Sequence, residues 1–155
     1  MAKAIGTLGN IPSITVGGRV FTDLTSLLVL GAYNGTSTKY ATFRKNNTSS
    51  GYVVTTGKTL TISALNVQSQ DSATSTTSMG LGYSTQDVGF NSSSEPSADT
   101  FQYGNAGFYV WACIGNQTPF QSERSTIFTV PAASSPFMKT IGSGEVWATV
   151  YGYET

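Results

Sequence analysis

Residues 26–43 read SLLVLGAYNGTSTKYATF, in which two runs of β-forming residues flank the dipeptide Asn34-Gly35. Asn-Gly between such runs is the strongest local signal for a two-residue hairpin turn. Pairing across this turn would place Val29 opposite Tyr40 on one face. The other face carries a second apolar set, and we predict that it packs in the core: Leu28, Leu30, Ala32, Ala41 and Phe43.

Further period-2 patterns predict strands along the rest of the chain. A second hairpin is predicted over residues 52–64, and the apolar parity changes after Ala64, which predicts a β-bulge there. Single strands are predicted at residues 79–83, 126–130, 137–141 and 146–153. Residues 108–114 are apolar on both parities, so this strand is either covered on both faces or meets another subunit, and we favour the subunit contact.

The chain shows no helical repeat of apolar residues over three turns, and turn signals recur about every ten residues. We therefore predict an all-β fold, an antiparallel β-sandwich or a jelly-roll-like barrel, in one domain covering residues 19–155. Residues 1–18 contain four glycines and Pro12 between isolated aliphatic residues, which predicts an extended N-terminal arm. Residues 68–78 and 84–100 are polar and aperiodic, so long loops are expected there.

Composition limits the chemistry that the chain can perform. It has no histidine, one cysteine, and eight acidic and eight basic residues, for a formal net charge of zero. Proton transfer at neutral pH most often uses histidine, and soft-metal sites use histidine or clustered cysteine, so we expect neither an enzyme nor a bound cofactor. A chain without a basic field is not expected to bind nucleic acid.

The first residues lack the apolar segment of a secretory signal, and no apolar run approaches the length of a membrane span. We therefore expect synthesis in the cytoplasm and no membrane partner.

One polar loop carries oxygen-bearing side chains at intervals of four: Asp87, Asn91, Glu95 and Asp99. This spacing differs from the ligand pattern of a calcium-binding EF-hand loop. We expect a solvated loop rather than a metal site.

Aromatic residues are the strongest candidates for a binding surface. Trp147, Tyr151 and Tyr153 share one parity of the last predicted strand, and Tyr109 and Trp111 lie in the doubly apolar run. Such residues often anchor contacts between subunits, and exposed ones also form platforms for sugars. We favour the subunit contact and keep sugar binding as the alternative.

In general character the chain resembles the small all-β structural proteins of tailed bacteriophages, especially head decoration (cement) proteins. The shared features are the Gly-rich start, the run Val53-Val54-Thr55-Thr56-Gly57-Lys58-Thr59-Leu60, strands rich in Ser, Thr, Gly and Asn, and a last strand reaching the C-terminus. The resemblance implies a virion protein made in the host cytoplasm. It would bind the major capsid protein, or another virion protein, on the outer capsid surface as an oligomer, commonly a trimer, and so stabilise the contacts between capsomers.

In this interpretation the arm would order on contact with its partner, through its isolated aliphatic residues Ile5, Leu8, Ile11, Ile14 and Val16. Two other functions stay open. The chain could be a carbohydrate-binding or receptor-binding module of a tail fibre, using its polar loops and exposed aromatics, or it could be a tail-tube or baseplate subunit.

Overall fold

The computed structural model describes residues 13–46, 48–70, 76–96, 111–114 and 120–155, with the backbone alone at 76, 111–114 and 120. These residues form eleven strands: β1 (Ile14–Val16), β2 (Arg19–Phe21), β3 (Leu28–Asn34), β4 (Lys39–Thr42), β5 (Arg44–Lys45), β6 (Leu60–Gln70), β7 (Thr76–Ser84), β8 (Trp111–Ile114), β9 (Phe120–Val130), β10 (Ser135–Ile141) and β11 (Glu145–Glu154). Within the same ranges the one helical element is the 3-10 turn Leu24–Ser26, which Asp23 caps.

Three antiparallel sheets build the molecule. One has five strands in the order β5-β3-β11-β6-β9, a second has four in the order β4-β10-β7-β8, and β1 and β2 form a small third sheet. The core lies between the first two, because its buried residues come from both. This confirms the predicted all-β fold and assigns it to the antiparallel sandwich class. Among the described residues no helix is long and apolar enough to cross a lipid bilayer.

The core face predicted from residues 26–43 is confirmed. Leu30 and Ala32 are buried on β3, Ala41 and Phe43 are fully buried beside them, and Leu28 packs against the same cluster. Phe43 lies where the chain passes from β4 in one sheet to β5 in the other. Fully burying a side chain of this size contributes roughly 1.5–3 kcal/mol.

The predicted hairpin at Asn34-Gly35 is wrong, because β3 pairs with β11 and β5 while β4 pairs with β10 in the opposite sheet. A type I′ turn needs a positive φ at both central residues, and neither residue has one. Asn34 is instead fully buried, and its Oδ1 accepts a hydrogen bond of 3.2 Å from the amide of Asn91. The amide of Gly35 donates in turn to Asn91 Oδ1 over 2.8 Å, so loop contacts hold the chain as it crosses between sheets.

The second predicted hairpin is also wrong. Residues 52–54 do not pair with β6. The amide of Val54 donates instead to the carbonyl of Ser134, and Thr59, just before β6, exchanges two backbone hydrogen bonds with Thr155. A turn does occur, since the Lys58 amide donates to the Thr55 carbonyl over 2.9 Å. The expected loop at 68–78 is shorter than predicted, because β6 extends to Gln70 and β7 begins at Thr76.

The predicted bulge is confirmed and falls at Ser63. Along β11 the partner changes from Ala64 to Ile62 between Tyr151 and Gly152, so Ser63 is the extra residue. The pairing of β6 with β9 shifts at the same point. The other predicted strands are confirmed as parts of β7, β9, β10 and β11. Of the run 108–114 only β8 is described, and it pairs with β7.

The β1–β2 hairpin packs on the sandwich at this bulge. The amide of Gly17 donates to Glu123 Oε1 over 2.6 Å, and Phe21 lies 5.8 Å from the Tyr153 ring. Arg19 covers the same tyrosine, with its guanidinium carbon 4.0 Å from the ring centroid. The end of the predicted arm, residues 14–16, therefore lies against the domain, whereas residues 1–12 lie outside the described part of the chain.

The hairpin turn supplies a matched test of close packing. Gly17 and Gly18 both have positive φ, so alanine at either should cost roughly 1–2 kcal/mol in backbone strain. A Cβ on Gly17 would overlap the Arg124 carbonyl and come within 2.5 Å of Ser63 Cβ, whereas one on Gly18 meets open space. We expect Gly17→Ala to destabilise the protein by at least about 1 kcal/mol more than Gly18→Ala in urea unfolding. Equal losses would show that the hairpin does not pack on the bulge.

Candidate functional site

The outer face of the five-stranded sheet is the most extensive arrangement of exposed apolar side chains on the described strands. Alternate residues of β11 point outward, and their partners on both sides share that face. Trp147 lies between Tyr33 of β3 and Gln68 of β6, and Tyr151 lies between Val29 and Ala64. Thr149, between these two rows, has Gly31 and Asn66 as its neighbours.

Four of these side chains form a patch that we call the aromatic face: Val29, Tyr33, Trp147 and Tyr151. Val29 is 45% exposed and Trp147 is 39% exposed, although each lies on a strand that is paired on both sides. The Tyr33 and Trp147 rings are 5.4 Å apart and tilted by 39°. Desolvation and the adjacent Glu145 carboxylate raise the pKa of Tyr33, so its hydroxyl stays protonated at neutral pH.

The surroundings of the aromatic face are mostly uncharged. Asn66 and Gln68 supply amides on β6, and the exposed Gln121 follows on β9. Charged residues lie at its margins: Glu145 is beside Tyr33, Arg44 pairs with Gly31 on one side, and Glu123 pairs with Ala64 on the other. An apolar centre with polar margins is the usual anatomy of a protein interface.

The structure brings together part of the predicted aromatic set. Trp147 and Tyr151 both lie on the aromatic face, with Thr149 between them, and Tyr153 continues their parity but is half-covered by Phe21 and Arg19. Trp111 lies on β8 of the four-stranded sheet, so it is not in the sheet that carries the aromatic face. Tyr109 lies outside the described residues.

The predicted arm residues fall into two groups. Ile14 is 42% exposed and Val16 is buried at 6%, both on β1. Ile5, Leu8 and Ile11 lie outside the described residues, and their partner-binding role stays a prediction.

Sequence reasoning missed Val29 and Tyr33 as members of the exposed patch. Val29 and Tyr33 alternate with the core residues of β3, and this alternation already indicated that they face outward. The predicted hairpin, however, would have made β4 the neighbouring strand. The true neighbour, β11, is more than 100 residues away in sequence, and no local pattern identifies it.

Two shallow cavities flank β11 on this outer side. One, of about 440 Å³, lies beneath β1, and its lining includes Ile14, Val16, Asn66 and Tyr151. The other, of about 370 Å³, lies at the β5 edge and is lined by Val29, Gly31, Arg44, Lys45, Asn46, Thr48, Phe90 and Thr149.

Each acidic side chain in the described ranges is engaged in a local contact. Asp23 caps the 3-10 turn, Glu123 accepts from Gly17, and Glu145 lies beside Tyr33, whose pKa it raises. The remaining three acidic side chains are those of Asp87, Glu95 and Glu154. Within those ranges no three Asp, Glu, Cys or His side chains are grouped so that they could hold a metal ion.

The members of the regularly spaced polar loop have separate partners. Asp87 accepts from the amides of Gly51 and Gly89 over 2.6 and 2.8 Å and lies 3.6 Å from Arg44. Partial burial raises its pKa, but these contacts outweigh that effect and the pKa is lowered. Asn91 holds Gly35, and Glu95 lies 3.8 Å from Lys139. Asp99 lies outside the described residues.

Glu154 ties the C-terminal end of β11 to the segment that precedes β6. Its Oε1 accepts from the Tyr52 hydroxyl over 2.5 Å and from the Thr55 amide over 2.9 Å. Partial burial raises the pKa of Glu154, but these hydrogen bonds and the Lys45 charge lower it overall. Burial and the Glu154 carboxylate raise the pKa of Tyr52 above its ordinary range, so the tyrosine stays the donor.

The Glu154 contacts predict a pH-dependent stability. A carboxylate whose folded pKa is lowered stabilises the fold above its ordinary pKa of 4.5, and this contribution disappears as the pH falls through the folded value. Because the group is only partly buried, we expect Glu154→Gln to cost only about 0.5–1 kcal/mol at pH 7. In urea unfolding the difference from wild type should shrink below about pH 4.5.

Glu95→Gln is the matched control, since it removes a carboxylate whose ion-pair contact is 3.8 Å long. A Glu154→Gln difference that is constant from pH 7 to pH 3 would contradict the assigned role.

Comparison with known proteins adds no relative. No protein-family model, no curated protein and no solved structure matched this chain. The functional assignment of the aromatic face must therefore be argued from its own chemistry.

Proposed function

We propose that the chain is a non-enzymatic structural protein of a virion, which assembles as an oligomer through the aromatic face and attaches to the outer capsid surface. The observation that carries the proposal is the exposure of Val29 and Trp147 in the middle of a regular sheet face. Large apolar side chains grouped on a strand face commonly mark a protein contact. The choice of the capsid as the partner is based on the resemblance to decoration proteins.

A second copy of the chain is the proposed occupant of the aromatic face. The formal net charge of zero means that many copies can approach without long-range repulsion. The face itself offers three aromatic side chains, a valine and neutral amides, a composition that suits a repeated contact among identical subunits. A trimer is the form that the decoration-protein resemblance favours.

Attachment to the capsid is assigned to the arm. The chain leaves the described domain at Ser13, beside the cavity beneath β1. Ile5, Leu8 and Ile11 would then meet the major capsid protein or another virion protein, while β1 stays fixed to the domain through Gly17 and Glu123.

The engagement of the carboxylates supports the non-enzymatic part of the proposal. General acid–base catalysis needs a titratable group that is free to reach a substrate. Glu123 holds a backbone amide, and Glu154 holds a backbone amide and a tyrosine hydroxyl. Their contacts are those of structural residues.

The oligomer can be tested by substituting serine for valine at two positions, one inside and one outside the aromatic face. We expect the purified chain to form a trimer and Val29→Ser to weaken its association at least fivefold, because removing the half-exposed valine surface from a buried contact loses about 1 kcal/mol of hydrophobic free energy. Val20→Ser is the control: Val20 is 59% exposed on β2 and lies outside the aromatic face. Analytical ultracentrifugation gives the association constant. A monomeric wild type, or equal losses in both variants, would refute the assigned contact.

Attachment can be tested separately by deleting residues 1–12. The deletion leaves β1 and the Gly17–Glu123 hydrogen bond in place, so we expect little change in the melting transition and an intact oligomer. Binding should be lost in cosedimentation with capsids assembled without the protein. Full attachment of the shortened chain would show that the arm is not the capsid contact.

A further inference from the structure

The cavity at the β5 edge exists because Gly31 has no side chain. Its neighbours across the sheet are Arg44 and Thr149, and both share its outward face. The depression that remains has a volume of about 370 Å³, which lies within the range of small-molecule sites. A Cβ on Gly31 would find its nearest atom, the Ala148 carbonyl oxygen, at 4.0 Å, so the floor of the cavity has room for a side chain.

An aromatic ring forms one wall of the cavity. Phe90 is 44% exposed, and the guanidinium carbon of Arg44 lies 4.3 Å from its ring centroid. The exposed ring gives an apolar surface against which a flat ligand face can pack. The guanidinium holds the ring in position through a cation–π contact.

The rest of the lining is hydrogen-bonding and cationic. Thr48 and Thr149 bring hydroxyls, Asn46 an amide, and Lys45 and Arg44 positive charges, and none of the lining residues is acidic. Two acids lie outside the lining: Asp87 is 3.6 Å from Arg44, and Glu154 is close enough to Lys45 for the Lys45 charge to lower its pKa. The Lys45 ammonium also lies 5.2 Å from the centroid of the Tyr52 ring.

Arg44 retains an unused donor. Its side chain is only 15% exposed, its Nη1 donates to the Ser49 carbonyl, and its Nη2 faces Asp87. Its Nε is buried and has no hydrogen-bond partner. A buried donor without an acceptor is unfavourable, so Arg44 would gain a hydrogen bond if its side chain moved toward a bound oxygen atom.

We propose that this cavity binds one acidic sugar unit, with a pyranose face against Phe90, its hydroxyls on Thr48, Thr149 and Asn46, and its carboxylate beside Lys45 and Arg44. An aromatic wall and several neutral hydrogen-bonding groups match a polyhydroxylated ring. The two cations and the absence of an acid in the lining select a negatively charged sugar over a neutral one. The cavity shares Val29 with the aromatic face, so a bound sugar would lie at the edge of the proposed subunit contact. The proposal itself does not rest on oligomer formation or capsid attachment.

An acidic peptide is the main competing occupant. A single Asp or Glu side chain would use the cations but would leave the Phe90 ring and the Thr149 hydroxyl without a ligand contact, whereas Thr48 Oγ1 already donates to the Lys45 carbonyl over 2.8 Å. The saccharide uses all three kinds of lining group, and it is therefore the occupant that the lining favours.

The test uses glucuronate and glucose, which differ only in a carboxylate or hydroxymethyl group at one carbon. In a ¹H–¹⁵N NMR titration of the full chain, we expect saturable shifts at the amides of Gly31, Phe90 and Thr149. Glucuronate should bind at least about threefold more tightly than glucose at low salt, and the difference should narrow as salt screens the charges. Equal affinities, or no saturable shift at these amides, would overturn the proposal.

Variants locate the site. Gly31→Val should fill the cavity and weaken glucuronate binding at least about tenfold, and Phe90→Ala should weaken both sugars. Lys45→Met should reduce the glucuronate affinity toward that of glucose, whereas Lys58→Met, which removes an exposed lysine on a distant turn, should change neither. Binding that survives both Gly31→Val and Phe90→Ala would refute the cavity as its location. Saturation by an oligoglutamate peptide but by neither sugar would assign the cavity to a protein partner and overturn the saccharide.

Discussion

The packing of β11 between β3 and β6 is the constraint on which both faces of the five-stranded sheet depend. Its inward residues Val146, Ala148 and Val150 are buried in the core, and the alternate residues Trp147 and Tyr151 are thereby directed outward. A slip of one residue would exchange the two sets and expose the core row. The register that closes the core therefore also creates the aromatic face.

Alternation along a strand is a local property, and for this reason it was the part of the fold that could be predicted. It assigned Leu30 and Ala32 to the core and placed a bulge beside Ala64. Pairing is a non-local property, and both predicted hairpins were wrong. Asn34-Gly35 has the composition of a tight turn, but burial of Asn34 and its hydrogen bond to Asn91 hold a different conformation. Tertiary contacts in the core thus override the turn preference.

The same distinction explains the candidate site. Trp147 and Tyr151 could be recognised from one strand, whereas Val29 and Tyr33 needed the pairing of β3 with β11. The cavity is even harder to predict from the sequence, because its lining comes from β3, β5, β11 and the loop that carries Phe90. Its decisive feature is a missing side chain at Gly31, and a glycine in a strand has no sequence signature that separates a cavity floor from a close backbone approach.

Gly152 is a glycine of the second kind, at which two backbones approach closely, and it lies at the bulge next to the outward-facing Tyr151. A Cβ there would overlap the carbonyl oxygen of Thr61, so the two backbones approach closely just where Ser63 is inserted. The insertion lets β11 keep its own alternation, so that Tyr151 still faces outward while the register of β6 changes. On the β9 side of the same bulge, Glu123 holds the amide of Gly17 and Ser63 donates to the carbonyl of Ser125. One extra residue in β6 thus fixes where the aromatic face ends and where the β1–β2 hairpin, from which the arm extends, is attached.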